Sequence, residues 1–276
     1  MTDATSPALG RILIVGGGNM GGAICAGLVG PAGHPASLVE VADPSADKRD
    51  ALASSCGVST VASVDCASPA DTVLIAVKPN IASDVCAQIS SLATPPTRVV
   101  SIAAGVSTST LESALPAGMP VVRVMPNTPL LVGEGMACVC AGASAERGDV
   151  DAVREMFSCM GRAAVVDESQ MDAVTALSGS GPAYFELVAQ TLARAAADEG
   201  LEYDLAVELA LQTMLGTARL VQERGQPLDE AIRAVSSPGG TTVAALQAMR
   251  EGGIEEALAD GVAAASRRSA ELGGRA

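Results

Sequence analysis

The chain has 276 residues, of which 49% are hydrophobic, and a formal net charge of −14 at pH 7. That length allows one large domain or two domains of ordinary size. Nucleic acids and anionic membranes are bound through basic patches, so the acidic balance argues against both kinds of partner.

The lack of a recognisable targeting signal and the pattern of cysteines both favour a cytoplasmic protein. Residues 1–9 carry no basic cluster, and no apolar run follows that could act as a signal peptide or reach the length of a membrane span. The seven cysteines are odd in number and scattered, without a C-x-x-C pair, so we expect reduced thiols. Cys138 and Cys140 share one face of a predicted strand with no histidine nearby, which favours a core role over metal binding. No metal site is predicted.

The first element is an uncharged block, Ile12–Val15, which suits a strand buried on both faces. Gly16, Gly18 and Gly21 follow in the G-x-G-x-x-G spacing, and a helix over 20–29 comes next. These glycines allow a tight turn, a close approach of pyrophosphate to the backbone, and close packing of helix on strand. The helix N-terminus then faces the phosphate. The segment therefore predicts a dinucleotide site.

A second strand is predicted over 37–41, and Asp43 follows it at the usual place of the residue that meets the adenosine ribose. A carboxylate there accepts the 2′-hydroxyl of NAD and repels the 2′-phosphate of NADP, whereas Lys48 and Arg49, within the next turn, favour the phosphate. Alternatively, Asp43 only caps the helix predicted over 46–55. The sequence leaves both interpretations open.

Strands and helices then alternate. Further strands are predicted at 58–61, 71–77, 98–102, 121–124, 135–140 and 163–166. Helices are predicted between them at 80–91, 107–115 and 149–160. Small residues and prolines follow the strands, as expected where loops close over a ligand at the carboxyl edge of a parallel sheet. We predict a Rossmann-like α/β domain with a parallel sheet over residues 1–167.

Residues 168–276 are predicted to form an all-helical domain for substrate binding and dimerisation. Its predicted helices are 168–177, 182–199, 204–224, 227–235, 241–250 and 254–272. The helix over 204–224 has apolar residues on nearly every side and must be enclosed. About 110 residues can hardly enclose several such helices, so we expect association with a second subunit.

Residue types that are missing restrict the chemistry. The one histidine, His34, is expected to be a solvated loop residue, which argues against a dehydrogenase with a histidine base. The only lysines, Lys48 and Lys78, precede the helical half, which argues against β-hydroxyacid dehydrogenases. Neither Tyr184 nor Tyr203 is followed four residues later by lysine, as in the short-chain dehydrogenases. The substrate must then accept hydride without a strong protein acid, and an imine does so.

Two glycine-containing breaks in the helical half could hold such a substrate. One is 178–182, Ser-Gly-Ser-Gly-Pro, with proline in a first helical turn. The other is 236–242, Ser-Ser-Pro-Gly-Gly-Thr-Thr, where backbone N–H groups and hydroxyls suit a carboxylate without any arginine. The alternative is that both segments are simply capped turns.

Several of these segments together resemble the pyrroline-5-carboxylate reductase family, from residue 11 to about residue 273. The resemblance rests on Gly16-Gly17-Gly18-Asn19-Met20-Gly21, Ala76-Val77-Lys78-Pro79, Ala103-Ala104-Gly105, Met125-Pro126-Asn127-Thr128-Pro129, the run from Ala173 to Tyr184, and Ser236-Ser237-Pro238-Gly239-Gly240-Thr241-Thr242. The last of these is the most specific. The resemblance implies reduction of 1-pyrroline-5-carboxylate to L-proline by NADPH or NADH, the last step of proline biosynthesis. It also implies a homodimer with interlocked helical domains, and such dimers often assemble into decamers.

The resemblance also implies roles for individual residues. Cofactor contacts fall on Gly16, Gly18, Asn19, Met20, Gly21, Asp43, Ser63, Ala76, Val77, Lys78, Pro79, Ala103 and Ala104. Substrate contacts fall on Ser180, Ser237, Gly239, Gly240, Thr241 and Thr242. Thr242 matches the threonine that hydrogen-bonds the ring nitrogen and is the predicted catalytic residue. Many relatives have serine or asparagine where Ala42 and Asp43 stand, so the choice between NADPH and NADH stays open.

Other functions remain as alternatives. A methyltransferase using the glycine loop for S-adenosylmethionine would leave the two loops of the helical half unexplained. A non-catalytic NAD(P)-binding regulator would leave them unexplained as well, and cofactor binding without turnover would support it. Another reductase of the imine or β-hydroxyacid type is the third alternative.

Overall fold

The structure is a computed structural model that describes residues 9–91 and 97–274. The described residues fall into two units. One lies within Met1–Ser180 and Ala264–Ala276, and the other is Gly181–Ala263. Residues 264–274 thus group with the unit that contains the predicted strands, although the sequence pattern placed them with the helical half.

The first unit is built on an eight-stranded sheet in the order β3-β2-β1-β4-β5-β6-β7-β8. The strands are β1 Ile12–Val15, β2 Val39–Ala42, β3 Ser59–Val61, β4 Thr72–Ile75, β5 Arg98–Ser101, β6 Val121–Met125, β7 Gly135–Ala141 and β8 Gly161–Val165. All eight predicted strands are present. The chain reverses its winding between β1 and β4, which are neighbours in the sheet, and this confirms the Rossmann-like fold.

One pairing differs from a fully parallel sheet. β6 and β7 run antiparallel, with Val124 opposite Val139, while every other neighbouring pair is parallel. The connection between them is short and contains the 3-10 turn Thr128–Val132. A connection between parallel neighbouring strands requires about a dozen or more residues, so this short connection allows only an antiparallel pair.

Helices cover both faces of the sheet. In the first unit they are α1 Asn19–Val29, α2 Ala46–Cys56, α3 Ala82–Ile89, α4 Thr108–Ser113, α5 Arg147–Ser158 and α6 Met171–Val174, followed by the π-turn Thr175–Gly179. In the second they are α7 Gly181–Asp198, α8 Tyr203–Arg224, α9 Leu228–Ala234 and α10 Thr241–Glu251. The last helix, α11 Ile254–Leu272, begins in the second unit and ends among the residues of the first.

Alternation along β1 divides the core into two layers. Ile12 and Ile14 belong to one buried cluster, together with residues of α1 and α5. Leu13 and Val15 belong to the other, together with residues of α3 and α4. Successive side chains of a strand point to opposite faces of the sheet, so an uncharged run such as β1 can feed both layers.

The two cysteines of β7 are core residues, as predicted. Cys138 and Cys140 are both buried, and the Cys140 thiol donates to Glu168 Oε2 at 3.1 Å. Burial raises the pKa of both thiols.

The expectation that His34 is solvated was wrong. Its side chain is buried, with 4% exposed. The loop after α1 turns back on the helix, because the backbone N–H of His34 donates to the carbonyl of Leu28 at 2.9 Å. Burial lowers the pKa of His34, and the Gly10 backbone opposes this to a smaller extent.

In the second unit, α8 packs along α7 but keeps much apolar surface. Five leucines of α8 are each exposed by 44% or more: Leu205, Leu209, Leu211, Leu215 and Leu220. Such a surface marks a protein–protein contact rather than an ordinary solvated face.

Candidate active site

The glycine loop after β1 uses its three glycines for different reasons. Gly16 has φ +106°, and a Cβ there would lie 2.5 Å from the carbonyl oxygen of Ala76. A Cβ on Gly21 would overlap the carbonyl oxygen of Gly16, so this glycine allows α1 to pack closely on the strand end. A Cβ on Gly18 would meet nothing within 4 Å. The absence of a side chain at Gly18 therefore keeps space open beside the loop, as a pyrophosphate requires.

The carboxylate of Asp43 is bonded to backbone. Its Oδ2 accepts from the N–H of Gly17 at 2.8 Å, and its Oδ1 accepts from the N–H of Ser45 at 2.9 Å. Ser45 is the N-cap residue of α2. Asp43 therefore joins the glycine loop to the start of α2, a role that neither sequence interpretation included.

Two cations contact Asp43, one at its carboxylate and one at its backbone. Lys48 Nζ lies 3.6 Å from Asp43 Oδ2, and its side chain is 51% exposed. Arg49 donates to the carbonyl oxygens of Asp43 and Pro44 at 2.8 and 3.0 Å. The end of β2 thus carries one carboxylate and two cations.

A cavity of about 720 Å³ opens at the carboxyl ends of β1 to β4. Ligands bind at this edge of doubly wound sheets, where the winding reverses. The predicted cofactor residues that line it are Gly16, Gly18, Asn19, Met20, Asp43, Ser63, Ala76, Val77 and Lys78. Gly21, Pro79, Ala103 and Ala104 lie outside the lining: Gly21 is buried under the loop, and Pro79 begins the 3-10 turn Pro79–Ile81.

Some lining residues were not among the predicted contacts. Pro44 follows β2, Ala62 and Val64 follow β3, and Ile81, Val85 and Gln88 belong to the segment after β4. Lys48, which the sequence offered only as a partner of a 2′-phosphate, lines the cavity as well. The position of the others after a strand of the sheet could have indicated from the sequence that they lie near the cavity. It could not show which side chains of α3 reach the cavity, because that depends on how the helix is rotated.

The 103–105 loop follows β5, the neighbour of β4 in the parallel sheet. The N–H of Ala103 donates to Ser101 Oγ at 3.3 Å, and Ala103 is buried, with 2% exposed. The loop therefore lies at the same edge as the cavity, and of its three residues only Ala104 is partly exposed.

The 236–242 loop belongs to the second unit and joins α9 to α10. Ser236 Oγ donates to the carbonyl of Ile232 at 2.7 Å, and the N–H of Gly240 donates to the carbonyl of Ser237 at 2.9 Å. Gly239 has φ +72°. Gly240 is the N-cap of α10 without a side-chain cap, so Thr241 and Thr242 form an uncapped first turn. Such a turn directs backbone N–H groups toward an anion.

Ser180 lies in the first unit, far from the 236–242 loop in the sequence. It follows the π-turn, and its N–H donates to the carbonyl of Thr175 at 2.9 Å. Asn127 Nδ2 donates to Ser178 Oγ at 3.3 Å, which ties this turn to the segment after β6. Irregular turns of this kind inside helices are frequent at functional sites.

The described residues offer neither a metal site nor a membrane-spanning helix. Within 9–91 and 97–274, no three or more His, Cys, Asp or Glu side chains are placed to hold a metal ion. In the same part of the chain, no helix combines the length and the apolar character needed to cross a membrane.

A glycine loop at the switch point of a doubly wound sheet, beside an open cavity and followed by a helical region, is typical of dinucleotide-dependent oxidoreductases. The sequence model described as "NADP oxidoreductase coenzyme F420-dependent" matches residues 11–105. The one described as "Pyrroline-5-carboxylate reductase dimerisation" matches residues 168–272.

Whole-chain comparisons identify the family. The pyrroline-5-carboxylate reductase of Pseudomonas aeruginosa is 38% identical over 264 residues, covering 95% of this chain and 96% of that protein. The enzyme of Corynebacterium melassecola is 38% identical over 266 residues, covering 95% and 98%. The chain belongs to the pyrroline-5-carboxylate reductase family.

Solved structures agree with this. The pyrroline-5-carboxylate reductase of Coxiella burnetii superposes with a TM-score of 0.89 at 34% identity, covering 96% of this chain and 98% of that one. The Plasmodium falciparum pyrroline carboxylate reductase, solved with NADP bound, superposes with a TM-score of 0.86 at 29% identity, covering 97% and 99%.

Proposed function

We propose that the chain reduces 1-pyrroline-5-carboxylate to L-proline with NADPH or NADH, as the last step of proline biosynthesis. The observation that carries this proposal is the identity to pyrroline-5-carboxylate reductases along nearly the whole chain. The cavity at the switch point and the 236–242 loop support it, because they supply a dinucleotide cradle and an anion-binding turn.

The cavity fits a nicotinamide dinucleotide. The open space at Gly18 and the uncapped N-terminus of α1 suit the pyrophosphate. Asp43 and Lys48 line the ribose end with one charge of each sign. We assign the thirteen cofactor positions predicted from the sequence to this site, including the four outside the cavity lining.

The nicotinamide cofactor, when bound, supplies the hydride for the C=N carbon of the substrate. The chain then has to position an imino acid, hold its carboxylate and exclude water. We assign the carboxylate to the N–H groups and hydroxyls of the 236–242 loop, and Ser180 stays a predicted substrate contact. Thr242 Oγ1 hydrogen-bonds the ring nitrogen: it accepts from the N–H of the protonated imine, which brings its own electrophilic charge, and donates to the nitrogen lone pair that forms as hydride arrives. Catalysis then comes mainly from proximity and desolvation.

Assembly and location complete the proposal. The exposed leucines of α8 and the match to a dimerisation family support a homodimer, with residues 1–167 as the dinucleotide domain and 168–276 as the substrate and dimerisation domain. A decamer built from such dimers is the further assembly we propose. A cytoplasmic location suits the seven free cysteines.

A steady-state assay tests the activity. We expect NADPH and NADH, measured side by side, to be oxidised only when 1-pyrroline-5-carboxylate is present, with proline as the product. Cofactor binding without turnover would favour a non-catalytic regulator. Turnover with a different cyclic imine or a β-hydroxyacid, but none with pyrroline-5-carboxylate, would favour another reductase of this class.

A further inference from the structure

The end of α11 lies against the 103–105 loop. Gly105 is buried with φ +79°, and a Cβ there would lie 3.0 Å from both Leu272 Cβ and the carbonyl oxygen of Ser269. It would also lie 3.3 Å from the backbone nitrogen of Gly273. The loop and the end of the chain are therefore in close contact, and only glycine leaves room for it.

Residues 269–273, which we call the C-terminal turn, are fixed by a partly buried hydrogen bond. Ser269 is 3% exposed, and its Oγ donates to Asp172 Oδ1 in α6 at 2.7 Å. The N–H of Gly273 donates to the carbonyl oxygens of Ser269 and Ala270, which closes the turn. A buried hydroxyl bonded to a carboxylate is a strong and directional anchor.

The other side of the 103–105 loop is held by the sheet. The N–H of Ile102 donates to the carbonyl of Ile75 at 3.1 Å, and the N–H of Ala103 donates to Ser101 Oγ. These bonds fix where the loop starts. The C-terminal turn limits the position of the loop at Gly105, because its atoms leave no room there for even a Cβ.

We propose that the C-terminal turn positions the 103–105 loop for the nicotinamide cofactor, with Ser269 as the positioning residue that anchors the turn through Asp172. The inference rests on the proposed function to the extent that Ala103 and Ala104 contact the cofactor. Ser269 itself touches neither cofactor nor substrate and acts through the loop.

The test compares Ser269→Ala with a matched control, Ser266→Ala, one turn earlier on the same helix. A second variant ends the chain after Glu271 and so removes the Leu272 and Gly273 contacts. We expect Ser269→Ala and the truncation to raise the dissociation constants and KM of NADPH and NADH by about tenfold, since small displacements of a positioned loop are costly. The kcat should change less than the cofactor KM, and Ser266→Ala should match the wild type.

Variants of the partner residue isolate the hydrogen bond. Asp172→Asn keeps an acceptor oxygen and should retain most of the affinity, whereas Asp172→Ala should resemble Ser269→Ala. The Ser269→Ala/Asp172→Ala double variant should bind the cofactor no more weakly than either single variant, because both substitutions remove the same interaction. Additive losses would contradict the anchor.

A purely structural role gives a different result. A lower melting temperature with unchanged cofactor dissociation constants in Ser269→Ala and the truncation would overturn the inference. Should the truncation fail to fold, Ser269→Ala and the Asp172 variants decide the question. Cofactor affinity is measured without substrate, so wild-type protein that binds NADPH but does not reduce pyrroline-5-carboxylate would contradict only the proposed function.

Discussion

Asp43 Oδ2 accepts a hydrogen bond from the N–H of Gly17 at 2.8 Å, across a separation of 26 residues in the sequence. This bond joins the end of β2, where the adenosine ribose is expected, to the loop that we assign to the pyrophosphate. A change at Asp43 should therefore affect two parts of the dinucleotide at once.

We expect Asp43→Ser to weaken the binding of both cofactors, with a smaller loss of affinity for NADPH than for NADH. In this variant the N–H groups of Gly17 and Ser45 lose their charged acceptor. A hydrogen bond to a charged group typically contributes about 1.5–3 kcal/mol, or roughly ten- to a hundredfold in affinity. Removal of the carboxylate also removes repulsion of a 2′-phosphate and frees Lys48 to meet it. Titrations with NADH and NADPH measure both effects, with Asp50→Ser, on the exposed part of α2, as the control. An unchanged NADPH/NADH ratio would limit Asp43 to its backbone contacts.

The second prediction concerns Gly18. Because a Cβ there meets nothing within 4 Å, Gly18→Val should fold with a nearly unchanged melting temperature. The valine would nevertheless occupy the space assigned to the pyrophosphate, so cofactor affinity should fall by about a hundredfold or more, as expected when several phosphate contacts are lost. Gly148→Val places the same side chain at another glycine with open space and should bind cofactor normally. Wild-type affinity in Gly18→Val would contradict the assignment of the cavity.

The third prediction concerns Thr242. Thr242→Ala should lower kcat/KM for the imine by about tenfold to a thousandfold, as for the loss of one donor in the transition state. Cofactor dissociation constants should stay the same, because the cradle is built from other residues. Thr191→Ala, which removes a hydroxyl bonded to the Leu187 carbonyl on α7, serves as the control. Wild-type turnover would remove Thr242 from the mechanism, and complete inactivity with an intact fold would make it an obligatory acid.

The fourth prediction uses the only histidine. Burial lowers the pKa of His34 below its ordinary value of 6.5, so the folded chain binds that proton less readily than the unfolded chain. Stability is therefore lost as the pH falls through 6.5 toward the folded-state pKa, by at most about 1.4 kcal/mol per pH unit. Urea unfolding at pH 7.5 and 5.5 should show a larger loss in wild type than in His34→Leu. Equal losses in the two proteins would show that carboxylates alone cause the acid sensitivity.

The fifth prediction concerns assembly. The exposed leucines of α8 should lie between subunits, so light scattering at micromolar concentration should give at least a dimer. Leu209→Glu places a charge in this contact and should shift the protein toward monomer. Leu131→Glu makes the same change at a leucine of the first unit that is 62% exposed and should not alter the mass. A wild-type monomer would contradict the role of α8.

Local signals accounted for most of the secondary structure. The uncharged β1, the glycine spacing after it and the helical periodicity beyond residue 167 each depend on residues that are close in the sequence. All eight strands and the order of the helices could therefore be predicted, with ends that differ by a few residues. The strand predicted over 37–41, for example, begins at Val39 because Ala36–Leu38 forms a 3-10 turn.

Contacts between distant segments could not be predicted in this way. The amino-acid sequence by itself determined the alternation that builds a doubly wound sheet, the glycine loop and the family motifs, because these are local patterns. Only the tertiary structure decided that Asp43 bonds to Gly17, that His34 is buried and that Ser269 and Leu272 approach Gly105. Each of these depends on where the chain returns in space, and no pattern of neighbouring residues encodes that position.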